Sequence, residues 1–376
     1  MSWEKVNLED VCTIIAGQSP DSKYYNQNGY GIPFYQGKAD FGINNPKVRY
    51  YCTLPSKIAQ PKDILLSVRA PVGPTNICET EACIGRGLAA IRSTEKVDHR
   101  YVYFFFKSIE KKLADSANGS TFSAITSKDV RNIKIPLPPL HIQKQIADIL
   151  DKADALHQKD QLLLKKYDEL AQSIFYDMFG DPVKNERGWT IKKLCEFGKV
   201  KTGNTPPRIN PNYYGNHIEW IKTDNIKFHS LHPNKASEFL SIEGERIGRT
   251  VDSGSILITC IAGSVSSIGN CVLTNRRVAF NQQINSFTPR VDMDECFIYF
   301  LFKYSKKIIQ DAATKGMKRI ITKSNFEKLE MILPPYDLQI KFSKRMLVNT
   351  ELRDMQIVSE LKSKLLYNAL MNNYFN

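Results

Sequence analysis

One motif that occurs twice limits the architecture more than any other feature. Residues 135–179 read IPLPPLHIQKQIADILDKADALHQKDQLLLKKYDELAQSIFYDMF, and a shift of 196 brings Leu137, Pro138, Pro139 and Gln143 onto Leu333, Pro334, Pro335 and Gln339. Paired prolines stop whatever precedes them, because proline lacks an amide donor and drives the residue before it towards extended geometry. A long helical pattern follows each pair. In the first copy Ile142, Ile146, Ile149, Ala153, Leu156, Leu163, Tyr167, Leu170 and Ile174 recur at steps of three and four, with Asp160 the one polar residue on the series. A 3.5-residue period sustained this long marks a helix that lies along another helix. The partner is expected in the same chain, where Leu338, Phe342, Leu352, Met355, Val358, Leu361, Leu365 and Ala369 keep helical spacing although Arg345 and Asn349 interrupt the heptad. At 1.5 Å per residue, about 40 residues make a rod of roughly 60 Å, longer than a compact domain needs.

Each rod is preceded by a module, and the modules repeat too. Trp3 to Gly17 (WEKVNLEDVCTIIAG) matches Trp189 to Gly203 (WTIKKLCEFGKVKTG) at a shift of 186. Loops rich in aromatic, basic and amide residues follow, then the short strands 32–35 and 218–221, which leave through Gln36-Gly37-Lys38 and Lys222-Thr223-Asp224. Residues 63–68 (DILLSV) and 255–261 (SILITCI) read as β, and each enters a glycine-bearing loop. Turn signals every eight to twelve residues indicate a curved, mostly antiparallel sheet. Residues 101–113 (YVYFFFKSIEKKL) and 297–309 (FIYFLFKYSKKII) close the modules as helices whose aromatic side chains fill a core. Gly119-Ser120-Thr121 and Gly316-Met317-Lys318 lead towards helix starts at Ser127 and Lys323, which is either a phosphate clamp or a loop with a cap. The fold class is therefore α+β, with modules at 1–138 and 186–334 and long helices at 139–180 and 335–376. Antiparallel pairing of those helices in a coiled coil would give the chain pseudo-twofold symmetry.

Charge narrows the partner. The formal net charge is +13, and Lys+Arg minus Asp+Glu gives +5 for residues 1–139, −2 for 140–180, +8 for 181–335 and +2 for 336–376. Positive charge concentrated in the modules suits a polyanion held there, leaving the rods for helical contacts. The eight cysteines show no CxxC and no pairing with nearby histidines, so neither zinc nor a disulfide framework is expected. The six histidines (His99, His141, His157, His217, His229, His232) are scattered. The polar stretch Met1 to Asp10 and the lack of eighteen consecutive apolar residues point to a cytoplasmic chain without a membrane partner.

Two modules, each ending in Leu-Pro-Pro with a glutamine four residues on and each followed by a long helix, closely resemble the specificity subunit of type I restriction-modification systems. The resemblance covers essentially the whole chain, although Ile142 and Leu338 replace the usual acidic residue before the glutamine. It implies two target-recognition domains that read an asymmetric, bipartite target on double-stranded DNA, and a scaffold for two methyltransferase (modification) subunits and for restriction/translocase subunits. Such a chain is a non-catalytic subunit without a cofactor of its own, S-adenosylmethionine being expected on the partner methyltransferase. Leu333-Pro334-Pro335-Tyr336 looks like the Asn/Asp-Pro-Pro-Tyr motif of amino-methyltransferases, but leucine replaces the residue that would hold the target amine. A stand-alone DNA-binding adaptor or antirestriction-type protein built from the same modules is the alternative.

Loop cations, amides and tyrosines suit phosphate contact and base-edge reading. The DNA-binding candidates are Lys23, Tyr25, Gln36, Lys38, Arg69 and Arg86 in the first module and Arg208, Tyr214, Lys222, Arg277, Gln282, Lys318 and Arg319 in the second. For inter-helix and subunit contact they are Ile142, Ile146, Ile149, Leu156, Leu163, Tyr167, Leu170, Leu352, Val358, Leu361 and Leu365.

Overall fold

The computed structural model describes residues 3–118, 124–228, 230–316 and 318–375. They form two compact units, residues 1–161 with 359–376 and residues 162–358. In the first unit, strand Lys5–Asn7 pairs antiparallel with Lys134–Pro136, so the two ends of the module are zipped together just before the double proline. A four-stranded antiparallel sheet follows in the order Cys12–Ala16, Leu88–Ser93, Ile64–Ser67, Thr75–Ile77. A five-stranded sheet runs Tyr25–Asn26, Tyr50–Cys52, Ile32–Tyr35, Ala82–Ile84, Ile58–Ala59, and one of its pairs, Ile32–Tyr35 with Ala82–Ile84, is parallel.

The second unit repeats this plan strand for strand. Ile191–Lys193 pairs with Glu330–Ile332. The four-stranded sheet runs Gly198–Thr202, Ile284–Pro289, Ile256–Thr259, Cys271–Leu273, and the five-stranded one runs Tyr214–Gly215, Phe239–Leu240, Ile218–Ile221, Val278–Phe280, Thr250–Val251, again with one parallel pair. A short ribbon joins Ile261–Ala262 to Arg319–Ile320, where the first unit has an isolated bridge between Arg69 and Ala124. Helices His99–Asn118 and Glu295–Tyr304 lie in the cores, where Phe104, Phe105 and Phe106, like Phe300, Leu301 and Phe302, are buried.

The repeated glutamine has a structural explanation. Gln143 is fully buried; its amide nitrogen donates to the carbonyls of Pro138 at 2.8 Å and Lys96 at 3.2 Å, and its oxygen accepts from the Asp98 amide at 2.9 Å. Gln339 repeats the clamp, donating to Pro334 at 2.8 Å and accepting from Asp294 at 3.1 Å. Asp98 and Asp294 in turn accept from the first amides of the core helices, Arg100 and Tyr101 in one unit and Phe297 in the other. One amide side chain thus ties the start of a long helix to the start of the helix at the module's core.

Both long helices, Leu140–Phe179 and Tyr336–Phe375, have 40 residues. The first stops at Gly180, whose positive φ of 75° suits glycine and whose amide donates to Tyr176. Within the first unit, Ile146, Leu150, Ala153 and Asp160 of one helix are buried with Ser363, Met371 and Phe375 of the other. Ser359 donates to Asp160 at 3.3 Å, and Phe375 packs 5.1 Å from the Tyr101 ring. Within the second unit, Ala171, Phe175 and Phe179 are buried with Phe342, Met346 and Asn349. There Arg353 Nε donates to Asp168 at 2.9 Å, and Phe175 meets Phe342 edge to face at 5.6 Å. In either unit, numbers rise along one helix as they fall along the other, so the paired segments are antiparallel.

One column of the expected seam, Ile146, Ala153, Asp160 and Tyr167, faces inward, and the other is displaced by one position. Ile149, Leu156, Leu163, Leu170, Leu352, Val358, Leu361 and Leu365 are between 41% and 59% exposed, whereas Ile146 is buried and Ile142 and Tyr167 are half-buried. The helix carries a second stripe of the same period, Ile146, Leu150, Ala153, His157, Asp160, Leu164, Tyr167 and Ala171, and that stripe faces inward. Rotation of the helix is set at its ends by the glutamine clamps and the phenylalanine anchors, not by counting leucines. Asn349, which breaks the heptad of the second helix, is itself buried there and donates to the Tyr167 carbonyl at 3.5 Å.

Gln143→Ala and Gln339→Ala should each lower the unfolding free energy by about 2–4 kcal/mol, because removing the amide orphans backbone groups that cost about 1–3 kcal/mol each. Urea unfolding of the purified chain measures this, and a change below about 0.5 kcal/mol, the size of an ordinary surface substitution, would contradict the clamp. Phe375→Ala should cost about 3–5 kcal/mol and Leu365→Ala about 0.5 kcal/mol or less. Equal losses in the same assay would contradict the seam.

Candidate nucleic-acid interface

In each unit the loops at one end of the two sheets are drawn into a cluster by the same backbone hydrogen bonds. In the first, Gly17 donates to Leu88, Gln18 to Ile84, Gly85 to Tyr35, Val68 to Gly87 and Ile125 to Val68. In the second, Gly203 donates to Ile284, Asn204 to Phe280, Asn281 to Ile221, Ile261 to Gln283 and Ile321 to Cys260. The glycine that opens each cluster is required by close approach: a Cβ on Gly17 would lie 2.2 Å from the Gly85 oxygen, and one on Gly203 would lie 2.1 Å from the Asn281 oxygen. The frame is backbone; what it displays is side chain.

Several sequence candidates meet on this frame. In the first unit Gln36, Lys38, Arg69 and Arg86 are exposed on the clustered loops, and the Arg86 amide donates to Ser19 Oγ at 3.3 Å. Tyr25 is half-buried against Phe34 at 4.5 Å, and its hydroxyl donates to the Pro20 carbonyl at 2.7 Å. Lys23 is exposed, pairs with Asp21 at 3.4 Å and lies over the Tyr24 ring. In the second unit Gln282 meets the Thr205 hydroxyl. Lys318 is exposed beside the ribbon to which Arg319 belongs, and Arg319 Nη1 donates to the Thr314 carbonyl at 3.2 Å. Arg208 stacks 4.4 Å from the Tyr214 ring centroid and 5.3 Å from that of Trp220. The Glu238 carboxylate accepts from Arg208 Nη2 at 2.7 Å and from Lys222 Nζ. These two cations, Lys222 first, hold the Glu238 carboxyl below its ordinary range.

Arg277 does not join them. It lies at the far end of strand Val278–Phe280 from Gln282 and is engaged by Glu245 at 2.9 Å and Asp252 at 2.8 Å, which leaves its guanidinium committed to two carboxylates. At the helix starts Ser127 and Lys323, the Thr126 and Thr322 hydroxyls accept from the Asp129 and Asn325 amides at 3.2 and 3.3 Å, an N-cap in both units. Residues 119–121, Met317 and His229, which the sequence also singled out, lie outside the described residues.

Glu238, Trp220 and Asn204 complete the cluster around Arg208 without being marked by residue type or spacing in the sequence. Trp220 is buried, with its indole nitrogen donating to the Asn204 carbonyl at 3.3 Å, and Glu238 reaches Arg208 because the strand that follows it, Phe239–Leu240, adds beside that of Trp220. No spacing in the sequence announces that pairing. Burial pushes the thiols of Cys12, Cys78, Cys260 and Cys271 up to about 12, so these cysteines are protonated core residues. Among the described residues no group of His, Cys, Asp and Glu is arranged to hold a metal ion, and no helix is long and apolar enough to cross a membrane.

Comparison with known proteins agrees with this duplicated plan. A family described as the type I restriction modification DNA specificity domain matches residues 1–166 and 186–351. The chain named as the MjaX type I restriction enzyme specificity subunit of Methanocaldococcus jannaschii is 50% identical over 157 residues, which cover 41% of this chain and 37% of that one. The MjaIX specificity subunit of the same organism is 22% identical over 370 residues, 90% of this chain and 85% of its own length. The solved type I S subunit from M. genitalium superposes with a TM-score of 0.66 at 14% identity, covering 100% of this chain and 96% of that one, a likeness of fold. With the family matched twice along one chain, and each match ending on a glutamine-clamped helix, the chain belongs to the type I restriction-modification specificity (S) subunits.

Proposed function

We propose that the chain is the DNA sequence-specificity subunit of a type I restriction-modification enzyme, reading a bipartite, asymmetric target and carrying the subunits that act on it. One observation supports this above the others: the same backbone frame is built twice, and equivalent positions on it bear different polar side chains. A repeated frame suits two half-sites, and different side chains make them different sequences. The long helices then act as the ruler that fixes the unread spacer between them.

Apolar side chains left exposed on the long helices support a second role. Ile149, Leu156, Leu163, Leu170, Leu352, Met355, Val358, Leu361 and Leu365 are too many and too regular for scattered surface residues, and helices of partner subunits are the fitting cover. Two modification subunits are the proposed occupants, with restriction/translocase subunits added in the complete enzyme. Methyl transfer, with its S-adenosylmethionine, and cleavage are assigned to those chains.

Exchanging residues 1–135 for those of a relative, in the complete complex, should change one half of the methylated sequence and leave the other half and the spacer intact. Sequencing that maps modified bases reads this directly. Movement of both halves together would contradict independent reading.

A further inference from the structure

The two units share an aromatic shelf and differ in what stands on it. Tyr25 and Tyr214 are equivalent: each hydroxyl donates to a proline carbonyl, Pro20 or Pro206, and each residue pairs with the same position of the neighbouring strand, Cys52 or Leu240. Phe34 and Trp220 are the second rings of the shelf. Phe34 is in register with Tyr50, and the Trp220 amide donates to the Glu238 carbonyl at 3.1 Å, so Tyr50 and Glu238 occupy one place. Gln36 and Lys222 leave these strands at a second common place, their amides capped by Asp40 and Asn225. The proline-to-tyrosine loop spans five residues in the first unit and eight in the second, and the longer loop carries Arg208.

Arg208 is constrained far more than a phosphate contact requires. Its guanidinium lies against two rings and donates to Glu238 through Nη2, while 57% of its side chain stays exposed. Neutralising a phosphate takes charge, which a mobile lysine supplies equally well. A carboxylate beside that charge weakens attraction to DNA and gains orientation instead. A stacked guanidinium with one donor occupied keeps the rest of its fork for two acceptors side by side, the O6 and N7 edge of guanine. We propose that Arg208 reads a guanine in the half-site taken by the second unit and that Glu238 is its positioning residue, Lys222 balancing the carboxylate. This rests on the DNA-reading function above and adds to it the base and the residue that reads it.

The test uses the chain assembled with its modification subunits and maps methylated sites for the wild type, Arg208→Lys and Glu238→Gln. Arg208→Lys keeps the charge and is a surface change that the fold tolerates. It should leave the salt dependence of DNA binding unchanged while discrimination at one base pair of one half-site falls by about 5- to 150-fold, so that this guanine becomes degenerate in the motif. Glu238→Gln should relax the same position, and the other half-site should not move in either variant. An unaltered motif in Arg208→Lys, or an even loss of methylation at all sites, would overturn the assignment. A wild-type complex that methylates no defined motif would instead overturn the DNA-reading function itself.

Discussion

A primary amide enclosed at a helix start can donate twice and accept at its oxygen, and Gln143 and Gln339 use this capacity to lock module to rod. Each closes onto the proline carbonyl behind it and onto the amide of the aspartate that caps the core helix. The double proline makes this possible by ending the strand and freeing a carbonyl where a helix would otherwise consume it. Remove the amide, and the angle between rod and sheet is held by apolar packing alone. Packing tolerates rotation better than a buried hydrogen-bond network does. Within each unit, the phenylalanines contributed by the end of one long helix then seat among the aromatic residues of the module, Phe375 on Tyr101 and Phe175 on Phe297.

Much of this was legible in the chain. The repeat at Leu137 and Leu333, the prolines and the apolar period gave both long helices nearly to their ends, because those signals are local. The seam was not legible. Ile149, Leu156, Leu163 and Leu170 make a better heptad column on paper than Leu150, His157, Leu164 and Ala171, yet the latter face inward because anchors at the helix ends set its rotation. Long-range register was equally hidden at the interface. Arg208, Tyr214 and Lys222 could be chosen by residue type, but the carboxylate that organises them, Glu238, becomes a neighbour only through strand pairing. Arg277 shows the converse, a loop arginine chosen by type that three-dimensional neighbours had already occupied.

The physical picture is a division of labour between backbone and side chain. Matching amide-to-carbonyl bonds hold the loop clusters in both units, so the frame is indifferent to the side chains that line it. Tyr50 and Glu238, or Gln36 and Lys222, can then diverge without disturbing the sheet beneath. Such an arrangement permits a change of sequence preference without a change of fold, since specificity resides in a few base-edge contacts and affinity in many phosphate contacts. Charge follows the same logic, with the basic excess in the modules and near balance in the rods.

The most direct measurement of this account is the pattern of methylated bases in the host genome with and without the gene for this chain. Deletion is expected to abolish one motif made of two unlike half-sites separated by a fixed run of unread bases. An unchanged pattern, or the loss of a single uninterrupted palindrome, would contradict it.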